Sequence, residues 1–293
     1  MIPLMHRIAA VLLSAAFLQV LVPRLLKPAA AAETVTWILA EFPPLVIDKA
    51  PPGQEGFGEK QLRFLQTRLP QFHHVILKAT TSRLWHEMQT ADGVCTLSVA
   101  KLPDRERFAL FSRRAYYGTT NQMIVRTEDM PKFAPFLDKS GAIDLSLLAE
   151  DDRLIGAYSD GTTYGAAIDG FIHNPSRKTP LQPVAHLRFP VALLDKKRVD
   201  FIFGYYMEMA YFRRANHLRD AFTALRTIPE QPRLGGYIAC GKKPVGEKVI
   251  AAVDALLASD ETMLEFIEPL REWYSPADFE AARNAVKSTG AGD

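Results

Sequence analysis

Arg105 is placed where a fixed guanidinium could grip a carboxylate. It follows the apolar run Val94 to Val99 and a Pro103-Asp104 turn, within D-G-V-C-T-L-S-V-A-K-L-P-D-R-E-R-F-A-L-F-S-R-R-A-Y-Y at residues 92 to 117. A strand that delivers an arginine to its carboxyl end suits a carboxylate-binding cleft, because the planar fork holds both oxygens at once. Taken by itself, Arg105 also reads as one of 35 Lys and Arg residues on a solvated turn. Ser98-Val99-Ala100-Lys101 matches S-x-x-K, and K-S-G at 139 to 141 with S-D-G at 159 to 161 imitates the other elements of serine acyl-transfer enzymes. Those two elements stand in reversed order, and the S-x-x-K closes a strand where it should open a helix. No H-E-x-x-H, G-x-S-x-G or G-x-x-x-x-G-K-[ST] occurs, and the seven histidines include only the adjacent pair His73-His74. No metal and no cofactor is indicated.

The elements that would position Arg105 alternate in type. Val35 to Ala40 reads as a strand, Glu59 to Leu69 as a helix with Leu62, Leu65 and Leu69 on one face, and Val75 to Ala79 as a second strand. Thr81 to Thr90 is a helix with Leu84 and Met88 four apart, and Asp92-Gly93 leads into the strand before Arg105. This β-α-β-α-β order implies a parallel sheet covered on both faces. A second unit follows: strands at Gln122 to Arg126, Leu154 to Tyr158, Val184 to Leu187 and Val199 to Phe203, with helices from the Gly161-Thr162-Thr163 segment to Ile172 and around Val191 to Lys197. A returning strand at Gly236 to Ala239 precedes helices near Val245 to Ala258, Glu261 to Trp273 and Pro276 to Val286.

The chain has 293 residues, 48 per cent hydrophobic and 23 per cent charged, which excludes disorder of the whole. Residues 1 to 32 differ: Arg7 precedes an apolar run from Ile8 to Val22, and Ala29 to Ala32 supply a small-residue cleavage site. This reads as a secretory signal peptide and a periplasmic product, with a membrane anchor as the alternative. Without Arg7, Arg24 and Lys27 the remainder holds 32 basic and 33 acidic residues, a net charge of −1. A near-neutral chain gives no electrostatic case for nucleic acid. The doublets Arg113-Arg114 and Arg213-Arg214 read as solvated faces. Cys95 and Cys240 are too few for a disulfide scaffold; export permits one bridge between them, and two buried thiols are an equal alternative.

In this order of elements the chain resembles family 3 extracellular solute-binding proteins, the polar-amino-acid receptors of ABC importers. The resemblance spans nearly all of residues 33 to 275 and is carried by A-E-F-P-P-L-V-I at 40 to 47, the 92 to 117 stretch, G-A-Y-S-D-G-T-T at 156 to 163 and R-V-D-F-I-F at 198 to 203. It implies the α/β type II periplasmic binding protein fold, two doubly wound lobes joined by two crossover strands. Residues 33–120 with 229–285 would form one lobe and 121–228 the other, leaving 286–293 as a flexible tail. Residue by residue, Arg105 matches the family's carboxylate-binding arginine, Phe42 the aromatic that stacks on the ligand, and Ser98 a polar cleft residue. Thr162 and Thr163 match a segment whose hydroxyls and helix-start amides face the ligand's anionic end.

The chain departs from the family at Ala100, where a second hydroxyl is common, and at Tyr205, near which the acid that holds the α-ammonium should fall. Glu208 could replace that acid if the backbone turns it inward. The resemblance therefore implies a monomeric receptor for a small carboxylate, a polar amino acid or a related compound, delivered by lobe closure to an ABC permease. A membrane sensor in place of the permease, or a dehydratase-like enzyme on the same fold with Glu208 or Asp160 as general acid, are the alternatives.

Overall fold

The computed structural model describes residues 32–51, 53–113, 116–185, 188–217, 221–229 and 235–289, so the expected signal peptide lies outside the described residues. From the amino end the strands are β1 (Glu33–Leu39), β2 (Phe72–Lys78), β3 (Val94–Val99), β4 (Ala109–Phe111) and β5 (Tyr116–Tyr117). They continue as β6 (Gln122–Arg126), β7 (Ile143–Asp144), β8 (Gly156–Ser159), β9 (Leu181–Val184), β10 (Phe201–Gly204), β11 (Phe222–Leu225), β12 (Thr227–Ile228) and β13 (Gly235–Gly241).

Eleven of these strands form two large sheets, and β7 and β12 pair with each other. The first has the order β2-β1-β3-β13-β4, with β5 also pairing β13; β1 runs parallel to β2 and β3, and β13 antiparallel to β3, β4 and β5. The second has the order β11-β6-β10-β8-β9, with β8 parallel to β10 and β9, and β6 antiparallel to β10 and β11. The period-2 pattern explains why each sheet is covered twice. In β1, Val35, Trp37 and Leu39 enter one apolar core while Ile38 enters another on the opposite face. In the second sheet Met123, Val125, Phe201 and Phe203 face one core, and Ile124 and Ile202 the other.

The helices Phe57–Arg68 and Thr81–Thr90 connect β1 to β2 and β2 to β3. Thr80 caps the second of these by accepting a hydrogen bond from the Arg83 amide at 3.3 Å, and Leu84 and Met88 are buried beneath it. The helix Pro276–Thr289 runs past residue 286, where a flexible tail was expected to begin, because buried Val286 gives its last turns an apolar anchor. Of the expected strand at Val184 to Leu187, Val184 is the last residue of β9, Leu181–Val184, whose backbone pairs with β8, and residues 186–187 lie outside the described residues.

Cys95 and Cys240 are bonded to each other. They are opposite residues on the antiparallel strands β3 and β13, with Cα atoms 4.1 Å apart, so the pairing register itself brings the thiols together. The bond ties the strand before Arg105 to the strand on which the chain returns to the first sheet.

The helix Tyr206–Ala215 leaves the second sheet at β10 and packs on two cores, Met209 entering one that β6 and β10 build. Met207 belongs to the core that β1 and the carboxyl-terminal helices build, with Tyr205, Ala210 and Tyr211 packed against it. Arg214 places its guanidinium 4.6 Å from the Trp273 ring centroid and pairs with Glu272 at 2.7 Å. Arg214 is exposed, as its reading as part of a solvated face had it, and it also joins this helix to the Glu272-Trp273 segment.

Candidate functional site

A cavity of about 300 Å³ opens at the carboxyl ends of β1 and β3. Parallel strands end in loops there, so their last side chains face a common space. The wall is mostly apolar and aromatic: Phe42 and Phe57 follow β1, Trp85 comes from the helix Thr81–Thr90, and Tyr116, Tyr205 and Tyr274 close the remaining sides. Tyr205 and Met207 are the contribution of the second sheet's β10 and the helix that follows it.

Arg105 lies in the short helix Pro103–Glu106 and lines the cavity. Its Nη1 donates to the Ala100 carbonyl at 3.0 Å, and its guanidinium carbon lies 4.4 Å from the Trp85 ring centroid. One face of the fork is thus held by stacking and one edge by the backbone, which leaves its other N–H groups for a ligand. Partial burial pulls its pKa down from the usual arginine value, and among the described residues it has no carboxylate partner. An arginine fixed in this way, half out of water and without a counter-ion, is prepared for an anion that arrives from solution.

Ser98, in the wall as expected, adopts the left-handed region at φ 61°. Its hydroxyl donates to Gln61 Oε1 at 3.3 Å and is hydrogen-bonded with the Tyr116 phenol. Such a backbone costs a non-glycine residue of order 1 kcal/mol or more, and it persists where surrounding contacts fix it. Thr119 also lines the wall, is 4 % exposed, and its Oγ1 has no hydrogen-bond partner. The Thr119 amide instead donates to the Tyr274 hydroxyl. Burial pushes the pKa of Tyr116, Tyr205 and Tyr274 upward, so all three present neutral O–H groups at physiological pH.

Phe42, Ser98, Arg105 and Tyr205 therefore share one wall. Thr162, Thr163 and Glu208 are not among the residues that line it. Thr162 and Thr163 were read as a helix start, but the helix is Ala166–Ile172 with Gly165 as its N-cap. The reason is Asp169, whose carboxylate accepts from the Tyr164 and Gly165 amides at 2.9 and 3.2 Å and so occupies the helix entrance with the protein's own anion. Thr163 is exposed in the preceding loop. Glu208 is turned inward but as a cap: it is 8 % exposed, and its Oε2 accepts from the Tyr205 amide at 3.1 Å. Desolvation raises its pKa to about 7, a rise that the hydrogen bond from the Tyr205 amide only partly opposes. Trp85, Thr119 and Tyr274 had no sequence signal of a site; Tyr116 had one, in the aromatic doublet that ends the 92 to 117 stretch.

No protein-family model matches the chain, and neither does any curated protein. Solved structures do match. An ancestral cationic amino acid solute binding protein is 16% identical, with a TM-score of 0.60, over 83% of this chain and 96% of that one. The second substrate binding domain of a putative amino acid ABC transporter from Streptococcus pneumoniae is 13% identical, with a TM-score of 0.59, over 83% of this chain and all (100%) of that domain. This chain has the two-lobed fold of the substrate-binding proteins. The periplasmic VFT2 domain of Bordetella pertussis BvgS has it too, at 16% identity and a TM-score of 0.54 over 82% of this chain and 93% of that domain. At these identities the likeness establishes the fold, and the role of the cavity has to be argued from its own residues.

Proposed function

We propose that this protein is a divergent solute-binding protein that captures a small carboxylate at Arg105. The observation that carries this reading is a stacked, half-buried guanidinium without a carboxylate partner among the described residues, set in a cavity to which both sheets contribute. Phe42 supplies a ring to cover the ligand, Ser98 and Tyr116 a hydroxyl pair, and Tyr205 a contact from the second sheet. Closure of the lobes would carry the β8 end, with Thr162 and Thr163, toward the ligand's anionic group. The expected leader would place the protein in the periplasm, where a loaded receptor is handed to an ABC permease or to a membrane sensor. The permease reading is supported by a structural neighbour that is a substrate binding domain of a putative amino acid ABC transporter.

Binding alone suffices for this geometry. The acid suited to a general-acid role by its pKa, Glu208, is engaged by the Tyr205 amide and stands outside the cavity wall. A thermal-shift screen of the purified protein against amino acids, amines, and mono- and dicarboxylates tests the reading, because a ligand that binds only the native state raises the melting temperature. Stabilisation by at least one carboxylate and by no simple amine is expected. Stabilisation by amines alone would overturn the proposal.

A further inference from the structure

The chemistry of the wall narrows the ligand further. An α-amino acid brings an ammonium as well as a carboxylate, and a buried ammonium needs an acid or several oxygens to replace its water. Among the described residues that line the cavity there is no Asp or Glu. Its tyrosines are neutral phenols, all three already engaged: Tyr116 with the Ser98 hydroxyl, the Tyr205 side chain with that of Asn121, and Tyr274 with the Thr119 amide. The acid that follows Tyr205, Glu208, points its Oε2 at a backbone amide. The fixed charge offered to a ligand is therefore the single positive one of Arg105.

The rest of the wall is suited to a ring. Phe42, Phe57, Trp85, Tyr116, Tyr205 and Tyr274 surround a space of about 300 Å³, roughly ten water volumes, at the small end of ligand pockets. Leu39, Leu45, Val46, Leu84 and Met207 fill the gaps between them. Aromatic faces at these positions favour a flat apolar body over a polar chain. The unpartnered Thr119 hydroxyl adds one place for a further ligand oxygen.

We propose that the cavity takes an amine-free aromatic or alicyclic carboxylate, with the carboxylate on Arg105 and the ring among the aromatic side chains. This rests on the solute-binding reading above and specifies its ligand class. The test is isothermal calorimetry with three probes of one skeleton: 3-phenylpropanoate, L-phenylalanine, which adds the α-ammonium, and 3-phenylpropylamine, which lacks the carboxylate. Glutamate and arginine serve as polar amino acids. Binding of 3-phenylpropanoate is expected, with phenylalanine weaker by roughly tenfold or more and the amine not bound. The Arg105→Ala variant should lose the phenylpropanoate heat, and Arg105→Lys, which keeps the charge without the fork, should retain part of it; circular dichroism checks that both are folded. Phenylalanine binding as tightly as phenylpropanoate overturns the inference. Glutamate or arginine binding in an Arg105-dependent way, with phenylpropanoate silent, also overturns it while leaving the solute-binding reading intact. If none of these carboxylates binds, the inference falls, and if the wider screen is equally silent the solute-binding reading falls with it.

Discussion

Arg105 was legible as a residue of the cavity wall because the apolar run before it stops in small and polar residues, which marks where side chains meet open space; Phe42 and Ser98 were expected there from the family resemblance, and all three line the cavity. Thr162, Thr163 and Glu208 do not, because their positions depend on where a helix begins. Asp169 takes the cap that the two threonines were expected to supply, and Glu208 becomes the third residue of a helix whose entrance it closes. Glu208 gives a prediction at this scale. Its folded pKa, raised by burial to about 7, exceeds its ordinary value of 4.5, so between those limits the native state holds a proton that the unfolded chain has released. Its contribution is fully present below about pH 4.5 and is lost as pH rises through 7, by roughly 3 kcal/mol at 1.4 kcal/mol per pKa unit. Urea midpoints of wild type and Glu208→Gln at pH 5 and pH 8 should show a fall with pH in the wild type that the variant largely lacks. Parallel behaviour of the two proteins would mean that the carboxyl is solvated.

At the scale of elements, the longer strands and helices followed from periodicity, and β3 and the helix Thr81–Thr90 appear at the expected residues. The short strands β4, β7, β11 and β12, of two to four residues, carry too little pattern to be read and exist because a neighbouring edge offers them hydrogen bonds. The disulfide was undecidable from spacing, since residues 145 apart meet only through the β3–β13 register. It closes a loop that contains the whole second sheet. Replacing both cysteines by alanine should lower the unfolding free energy by about 2–5 kcal/mol, measured in urea. A loss below about 1 kcal/mol would show that the strand pairing alone fixes this edge. The helix Tyr206–Ala215 makes a second prediction. Its Arg214 has an exposed ion pair and a ring contact, each worth about 1 kcal/mol or less, so Arg214→Ala should cost at most about 2 kcal/mol in the same measurement. A larger loss would show that folding depends on this contact.

For the whole molecule, the alternation of strands and helices and the family resemblance led to the two-lobed fold. What they could not supply was the character of the cavity, because its wall is assembled from segments as distant as Phe42, Trp85, Tyr116, Tyr205 and Tyr274. No local pattern marks these side chains as neighbours; tertiary packing alone does so. Arg105 carries the central claim, since everything proposed for this cavity depends on its gripping an anion. The most direct test is calorimetry of Arg105→Ala against wild type, using the carboxylate that most raises the wild-type melting temperature. Removing the fork should strand the buried carboxylate at about 2–5 kcal/mol, weakening binding roughly 30- to 4,000-fold, while the ligand-free melting temperature stays near that of the wild type. An affinity unchanged by the substitution would contradict the account.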